Sequence, residues 1–156
     1  MVQNLIAPSG YIKLPNNYPN YLKGCSYLPK LNNEIEGKRN PIYKERFSRL
    51  VNLILIMCAN DNVVIPKESS WFGFYPDGAY NKTLPTTETK WYKEDWFGLR
   101  TLDEAGKVQF ISVKGGHIEI SGADMLKYMV PYLRSPDAPD PYDFNLPGSD
   151  KIFHLQ

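Results

Sequence analysis

An α/β fold built on a small parallel sheet is the architecture this sequence predicts, and three observations predict it. Two short runs, residues 51–57 and 108–113, are rich in aliphatic residues that favour strands. Helical apolar spacing precedes the first run and follows the second. Strands interleaved with helices pair in parallel through right-handed crossovers. The 156 residues suit one ordinary domain or a piece of a larger one.

Residues 1–40 hold seven Asn, four Pro and four Tyr without a sustained helical period, so turns and short extended pieces are expected. One weak strand is expected at residues 26–32, where Pro29 points to an edge or irregular position. Glu34, Glu36, Lys38 and Arg39 lead to Asn40-Pro41, an N-cap followed by a first-turn proline. Tyr43, Phe47, Leu50 and Val51 then recur at helical spacing, with Lys44, Glu45, Arg46 and Arg49 opposite, which predicts an amphipathic helix. Residues 51–57 are too apolar for a half-exposed strand and suit a central strand covered on both faces. Ala59-Asn60-Asp61-Asn62 ends that run with turn chemistry. Residues 63–106 read as loop-rich, with aromatic blocks at Trp71-Phe72-Gly73-Phe74-Tyr75 and from Trp91 to Phe97. Asp103-Glu104-Ala105-Gly106 turns into the next strand, which Gly115-Gly116 ends. Ser121 with Asp124 resembles a capping box, and Met125, Tyr128, Met129 and Leu133 line one helical face up to Arg134. Residues 135–156, with four prolines, are expected to form a disordered tail. No internal repeat is visible. Three strands make a thin sheet, so the reading is of half a domain.

Several function classes are disfavoured at once. The net charge is +1, with both signs interspersed, which gives no electrostatic case for nucleic acid or an anionic membrane. The longest apolar run, residues 51–59, contains Asn52 and falls far short of the roughly 20 residues that span a bilayer. Met1-Val-Gln-Asn-Leu-Ile has neither a basic start nor an apolar core, so no signal peptide is expected in this chain. Cys25 and Cys58 form no C-x-x-C, which excludes a disulfide framework and a four-cysteine zinc site.

In open α/β sheets, functional groups collect in the loops at the carboxyl ends of the strands. Asp61 and His117 fall at those points. Parallel neighbouring strands would bring both loops to one rim, where a carboxylate can fix the tautomer of an imidazole that takes up a proton. Glycines before His117 let the backbone turn sharply. A backbone-bonded turn residue and an ordinary half-buried histidine are the alternatives for the two. Asp77, Asp95, Asp103 and Asp124 are rival acids; Asp95, between aromatics, is the main one, the others reading as turn or cap residues. His154 falls in the tail. A nucleophile is missing: no G-x-S-x-G occurs, and Gly24-Cys25-Ser26-Tyr27-Leu28 lacks both the second glycine and the strand-to-helix setting of an elbow. Cys58, ending a strand, reads as a small hydrophobe, and Cys25 has no flanking histidine. Acid followed by histidine after the last strand is the chain order of α/β-hydrolases.

Longer stretches carry a resemblance. Asn60-Asp61-Asn62-Val63-Val64-Ile65-Pro66 followed by Glu68-Ser69-Ser70-Trp71-Phe72-Gly73-Phe74-Tyr75 resembles the acid-bearing segment of palmitoyl-protein thioesterases. Asp95-Trp96-Phe97-Gly98-Leu99-Arg100 with Leu102-Asp103-Glu104-Ala105-Gly106 is similar to the family's next block, and Gly116-His117-Ile118-Glu119-Ile120-Ser121 to its histidine segment. The likeness covers about residues 1–134, most fully 41–134, and implies a partial α/β-hydrolase fold holding the last parallel strands and helices of the sheet. It implies hydrolysis of long-chain fatty acyl thioesters on protein cysteines, with Asp61 as triad acid and His117 as general base. No metal or organic cofactor is implied. S-acylated proteins or long-chain acyl thioesters are the implied partners, and a lysosomal or secreted location is implied.

By the same likeness, residues 1–40 are the end of a lid-like insertion plus the weak strand, and 41–134 are the carboxyl-terminal part of the core. Ile6, Tyr11, Ile12 or Leu14 would touch an acyl chain, with surface-loop packing as the alternative; the block from Trp71 to Tyr75 would pack in the core or wall the site. The family's serine elbow and oxyanion-hole donors have no counterpart here. The expectation is a carboxyl-terminal portion, by truncation, gene-model error or a split gene, inactive alone and open to complementation by an amino-terminal half. A non-catalytic pseudo-hydrolase binding acyl chains or lipidated proteins is the alternative, and a lipase-like esterase a third reading. Asn81-Lys82-Thr83 is an N-glycosylation sequon, in keeping with a secretory route.

Overall fold

The computed structural model describes residues 12–133. These fall in two compact units that divide between Ser121 and Gly122. In the first unit, α1 (Tyr18–Gly24) and α2 (Leu28–Leu31) precede α3 (Pro41–Ser48), β1 (Leu53–Cys58), α4 (Lys90–Lys93), α5 (Leu99–Glu104) and β2 (Val108–Val113). The expected strand at residues 26–32 is corrected: the segment forms α2. Pro29 sits in the first helical turn, where its missing N–H costs nothing, and Asn33 at φ +53° ends the turn in the left-handed conformation that Asn tolerates.

Asn40 caps α3 as its sequence position predicts, its Oδ1 accepting from the Ile42 amide at 3.0 Å. The helix ends at Ser48, earlier than the apolar spacing suggests, so Leu50 and Val51 lie outside it and exposed. Phe47 still turns inward, meeting Phe97 edge-on at 5.2 Å. Buried Asn33 ties the region together. Its side chain donates to the carbonyls of Asn40 and Trp96, and its Oδ1 accepts from the Asn40 amide.

β1 and β2 pair in parallel, in register from Leu53 opposite Val108 to Cys58 opposite Val113. Parallel pairing is thus as expected, but among the described residues the sheet has two strands, not three. Nor is β1 covered on both faces: only Met57 and Cys58 are buried, the rest being half-buried. Trp71 packs beside the sheet, its indole N–H donating to the carbonyls of Leu55 and Ile111.

The segment between the strands is more ordered than its composition suggests. Leu99 and Leu102, one helical turn apart in α5, are fully buried, and Leu99 clusters with Trp96 and Phe97, with Leu53, Phe72 and Val108 packed on that cluster. Each such leucine contributes about 1.5–3 kcal/mol of transfer free energy. Gly106 at φ +69° ends α5, its amide returning to Asp103 and the next to Leu102.

In the second unit, α6 (Gly122–Tyr128) and α7 (Val130–Leu133) replace the single helix expected as far as Arg134. Pro131 explains the break: it lacks an amide proton and its ring crowds the preceding turn. The expected disordered tail at 135–156 lies outside the described residues.

Candidate active site

The site forms where the two strands end. Beyond Cys58 and Val113 the ladder continues into the loops, the Ala59 amide donating to the Val113 carbonyl and the Asn60 amide to the Gly115 carbonyl, both at 2.9 Å. Both loops therefore leave the same rim side by side. The first tightens at once, with the Asp61 amide on the Cys58 carbonyl at 3.1 Å. Asp61 Oδ1 then accepts from the amides of Val63 and Val64 at 2.9 and 3.0 Å, an Asx-type turn that leaves its other oxygen free to point elsewhere. Lys67 braces the loop by donating to the Ala59 carbonyl at 2.5 Å.

The second loop turns through Gly115 at φ +134°, where a Cβ would lie 2.2 Å from the Glu119 carbonyl oxygen. Only glycine fits there. Glu119 closes the turn, its carboxylate accepting from the Gly116 amide at 2.7 Å and its amide donating to the Gly116 carbonyl at 3.1 Å. Held between these bonds, His117 directs Nδ1 at Asp61 Oδ2, 3.0 Å away. The Asp61 side chain is 7% exposed and that of His117 37%.

Electrostatics follow from these contacts. The hydrogen bond from His117, then those from the Val64 and Val63 amides, outweigh partial burial and hold the Asp61 carboxyl down at about 2, against an ordinary 3.8. Asp61 is therefore ionised at neutral pH and can only accept. The neutral imidazole must then carry its proton on Nδ1, which leaves Nε2 with a free lone pair. Such a ring can take a proton at Nε2 while the carboxylate stabilises the cation.

A cavity of about 490 Å³ opens beside the loop that carries Asp61, though neither Asp61 nor His117 lines it. Val63 and Val64, whose amides hold Asp61, line it, with Ile65, Phe72, Phe74, Trp91 and Phe97 extending an apolar wall. Ile12 lines it too, whereas Leu14 is not among the lining residues; Ile6 and Tyr11 lie outside the described residues. The block from Trp71 to Tyr75 divides, Trp71 packing at the sheet and Phe72 to Phe74 walling the cavity. One polar patch interrupts the lining. Buried Glu34 accepts from Lys13 at 2.6 Å, Tyr21 at 2.8 Å and Asn32 at 3.1 Å, while Lys13 stands over the Trp91 ring at 4.5 Å.

The rival acids are occupied elsewhere. Asp95 is buried and bonds to Lys44 and to the start of α5; Asp77 pairs with Lys90 at 2.8 Å; Asp103 accepts from the Tyr92 hydroxyl at 2.5 Å. Asp124 lies in the first turn of α6. Ser26 is exposed just before α2, with no strand leading to it, and Cys25 and Cys58 are buried and form no disulfide. His154 lies outside the described residues. Among the described residues no cluster of His, Cys, Asp or Glu is placed to hold a metal ion, and no helix is long and apolar enough to cross a membrane. Sequence reasoning missed Glu119 and the Lys13–Glu34 pair. Glu119, two positions past His117, carried a local signal; the other pair joins distant segments and carried none.

A family model described as palmitoyl protein thioesterase matches residues 1–117, a span that holds both Asp61 and His117. The chain belongs to the palmitoyl-protein thioesterase family. It is 42% identical over 119 residues to palmitoyl-protein thioesterase 1 of Caenorhabditis elegans, covering 76% of this chain and 39% of that protein. It is 35% identical over 139 residues to palmitoyl-protein thioesterase 3 of Dictyostelium discoideum, covering 86% of this chain and 48% of that protein. A lysosomal thioesterase of Xenopus laevis is 37% identical over 110 residues, 70% of this chain and 38% of its own length. The chain thus spans less than half the length of these relatives.

Proposed function

We propose that this chain supplies the acid and the base of a serine-type palmitoyl-protein thioesterase, as the carboxyl-terminal portion of an α/β-hydrolase. The observation that carries the reading is the Asp61–His117 contact at 3.0 Å, built on a common rim beside an apolar cavity. In the reaction, His117 Nε2 takes the proton of a serine hydroxyl as that oxygen attacks the thioester carbonyl. The carbon–sulfur bond then breaks and His117 returns the proton to the departing cysteine thiolate. Water, deprotonated by the same nitrogen, releases the fatty acid. The substrates are S-acylated proteins or other long-chain acyl thioesters. Val63 to Ile65 and Phe72 to Phe74 would hold the acyl chain, and residues 1–40 include the end of a lid-like insertion.

No G-x-S-x-G occurs in the 156 residues, so the serine comes from a complementary amino-terminal portion. The half-buried aliphatic strand β1 supports this, because it is more apolar than its two-stranded surroundings require. Relatives named as lysosomal thioesterases support a lysosomal location. The test pairs the chain with the serine-bearing portion of the C. elegans relative and follows hydrolysis of a palmitoyl thioester. The chain alone should give no turnover and no labelling by a serine-directed phosphonate. The pair should turn over and lose that activity in His117→Ala. Acyl-chain binding by the chain alone, with no turnover in any pairing, would instead identify a non-catalytic pseudo-hydrolase.

A further inference from the structure

We propose that Asn81 is an acceptor for an N-linked oligosaccharide. The proposal rests on the secretory–lysosomal reading above for where the modification happens, and on this chain's own residues for its chemistry. Asn81-Lys82-Thr83 is the sole Asn-x-Ser/Thr with x other than Pro in the 156 residues. A sequon alone is cheap to match, so its setting decides. Phe74 and Leu84 form an isolated antiparallel bridge, their amides and carbonyls exchanging bonds of 3.1 and 2.7 Å. The residues between them stand out as one loop on that base. Its near side is pinned: the Gly78 amide donates to the Pro15 carbonyl, the Tyr80 hydroxyl to Asn16 Oδ1, and Tyr75 meets Tyr80 with ring centroids 5.3 Å apart. Asn81 and Lys82 are exposed, in neither helix nor strand.

Transfer needs an exposed segment free of helix or sheet pairing, so that an enzyme can grip both the carboxamide and the hydroxyl two positions on. The loop meets that demand; buried Asn33, with its carboxamide bonded on both sides, shows what an unusable asparagine looks like. The co-reactant is a lipid diphosphate-linked oligosaccharide. The bond from the sugar's anomeric carbon to the diphosphate oxygen breaks, a bond from that carbon to Asn81 Nδ2 forms, one amide proton passes to a base of the transferase, and the lipid diphosphate departs. Neither Asn81 nor Thr83 lines the cavity beside Asp61, so the sugar leaves that site open.

The test translates the full chain behind a cleavable secretory leader into endoplasmic-reticulum microsomes. Leader cleavage and protection from added protease report arrival in the lumen, independently of any thioesterase activity. The expected result is a single upward step in mass, reversed by an amide-cleaving glycosidase. The step should be absent in Asn81→Gln and Thr83→Ala and retained in Thr83→Ser. A protected, leader-cleaved chain without the step, or a step that survives Asn81→Gln, overturns the proposal.

Discussion

Asp61 and Asp95 are built alike and differ at one atom's neighbour. In each, Oδ1 accepts two backbone amides: those of Val63 and Val64 for Asp61, those of Arg100 and Thr101 for Asp95. In each, Oδ2 meets side chains, at least one of them from a distant segment. For Asp95 these are the Thr101 hydroxyl at 2.6 Å and the Lys44 ammonium at 2.8 Å; for Asp61 it is the His117 imidazole at 3.0 Å. Both carboxyls are held below the usual range. At Asp95 burial pushes up, but Lys44 and Thr101 outweigh it. The lesson lies in the partner. An ammonium keeps its proton throughout the working range, so Asp95 is a structural knot that joins α3 to α5. An imidazole has a second ring nitrogen that can accept a proton, so the same knot at Asp61 can serve to move protons.

Four outcomes would sharpen or break that comparison. The largest concerns turnover. In the enzyme completed with a serine-bearing portion, Asp61→Asn should lower the rate on a palmitoyl thioester by about 10⁴-fold, as expected when a triad acid no longer sets the tautomer. Asp95→Asn should leave it within about tenfold, because nothing ties that residue to the imidazole. The second concerns stability. Asp95→Ala removes an N-terminal anchor of α5 and the partner of Lys44, and should cost about 2–4 kcal/mol by denaturant unfolding. Asp61→Ala should cost less. Third, Gly115→Ala should cost about 1–3 kcal/mol, since φ +134° and the Glu119 carbonyl both refuse a Cβ; the His117 side-chain resonances should shift with it. The smallest effect is on pH dependence. The Asp61 carboxyl lies at about 2 in the fold against an ordinary 3.8. Its contribution to stability is therefore complete above about pH 4 and is lost as pH falls towards 2. The stability difference between the native chain and Asp61→Asn should narrow across that window in acid unfolding.

Much of this was legible in the sequence because the decisive signals are local. Asn40-Pro41 announced the start of α3, aliphatic runs announced β1 and β2, and the turn residues after each placed Asp61 and His117 at one rim. What failed depended on tertiary context. Pro29 reads as a strand-breaker in an extended segment, yet it equally fits the first helical turn that it occupies. Leu99 and Leu102 give α5 only two apolar positions, too few to show a period, though burial makes them central. Asp95 between aromatics looked like a spare acid because sequence does not show which donors surround a carboxylate.

Imidazole nitrogen resonances of His117, assigned by their absence in His117→Ala, test the central claim most directly. The account predicts that the neutral ring carries its proton on Nδ1, that this proton is shielded from exchange, and that the preference disappears in Asp61→Asn but persists in Asp95→Asn. A neutral ring protonated on Nε2, or a tautomer indifferent to the loss of the Asp61 carboxylate, would contradict it.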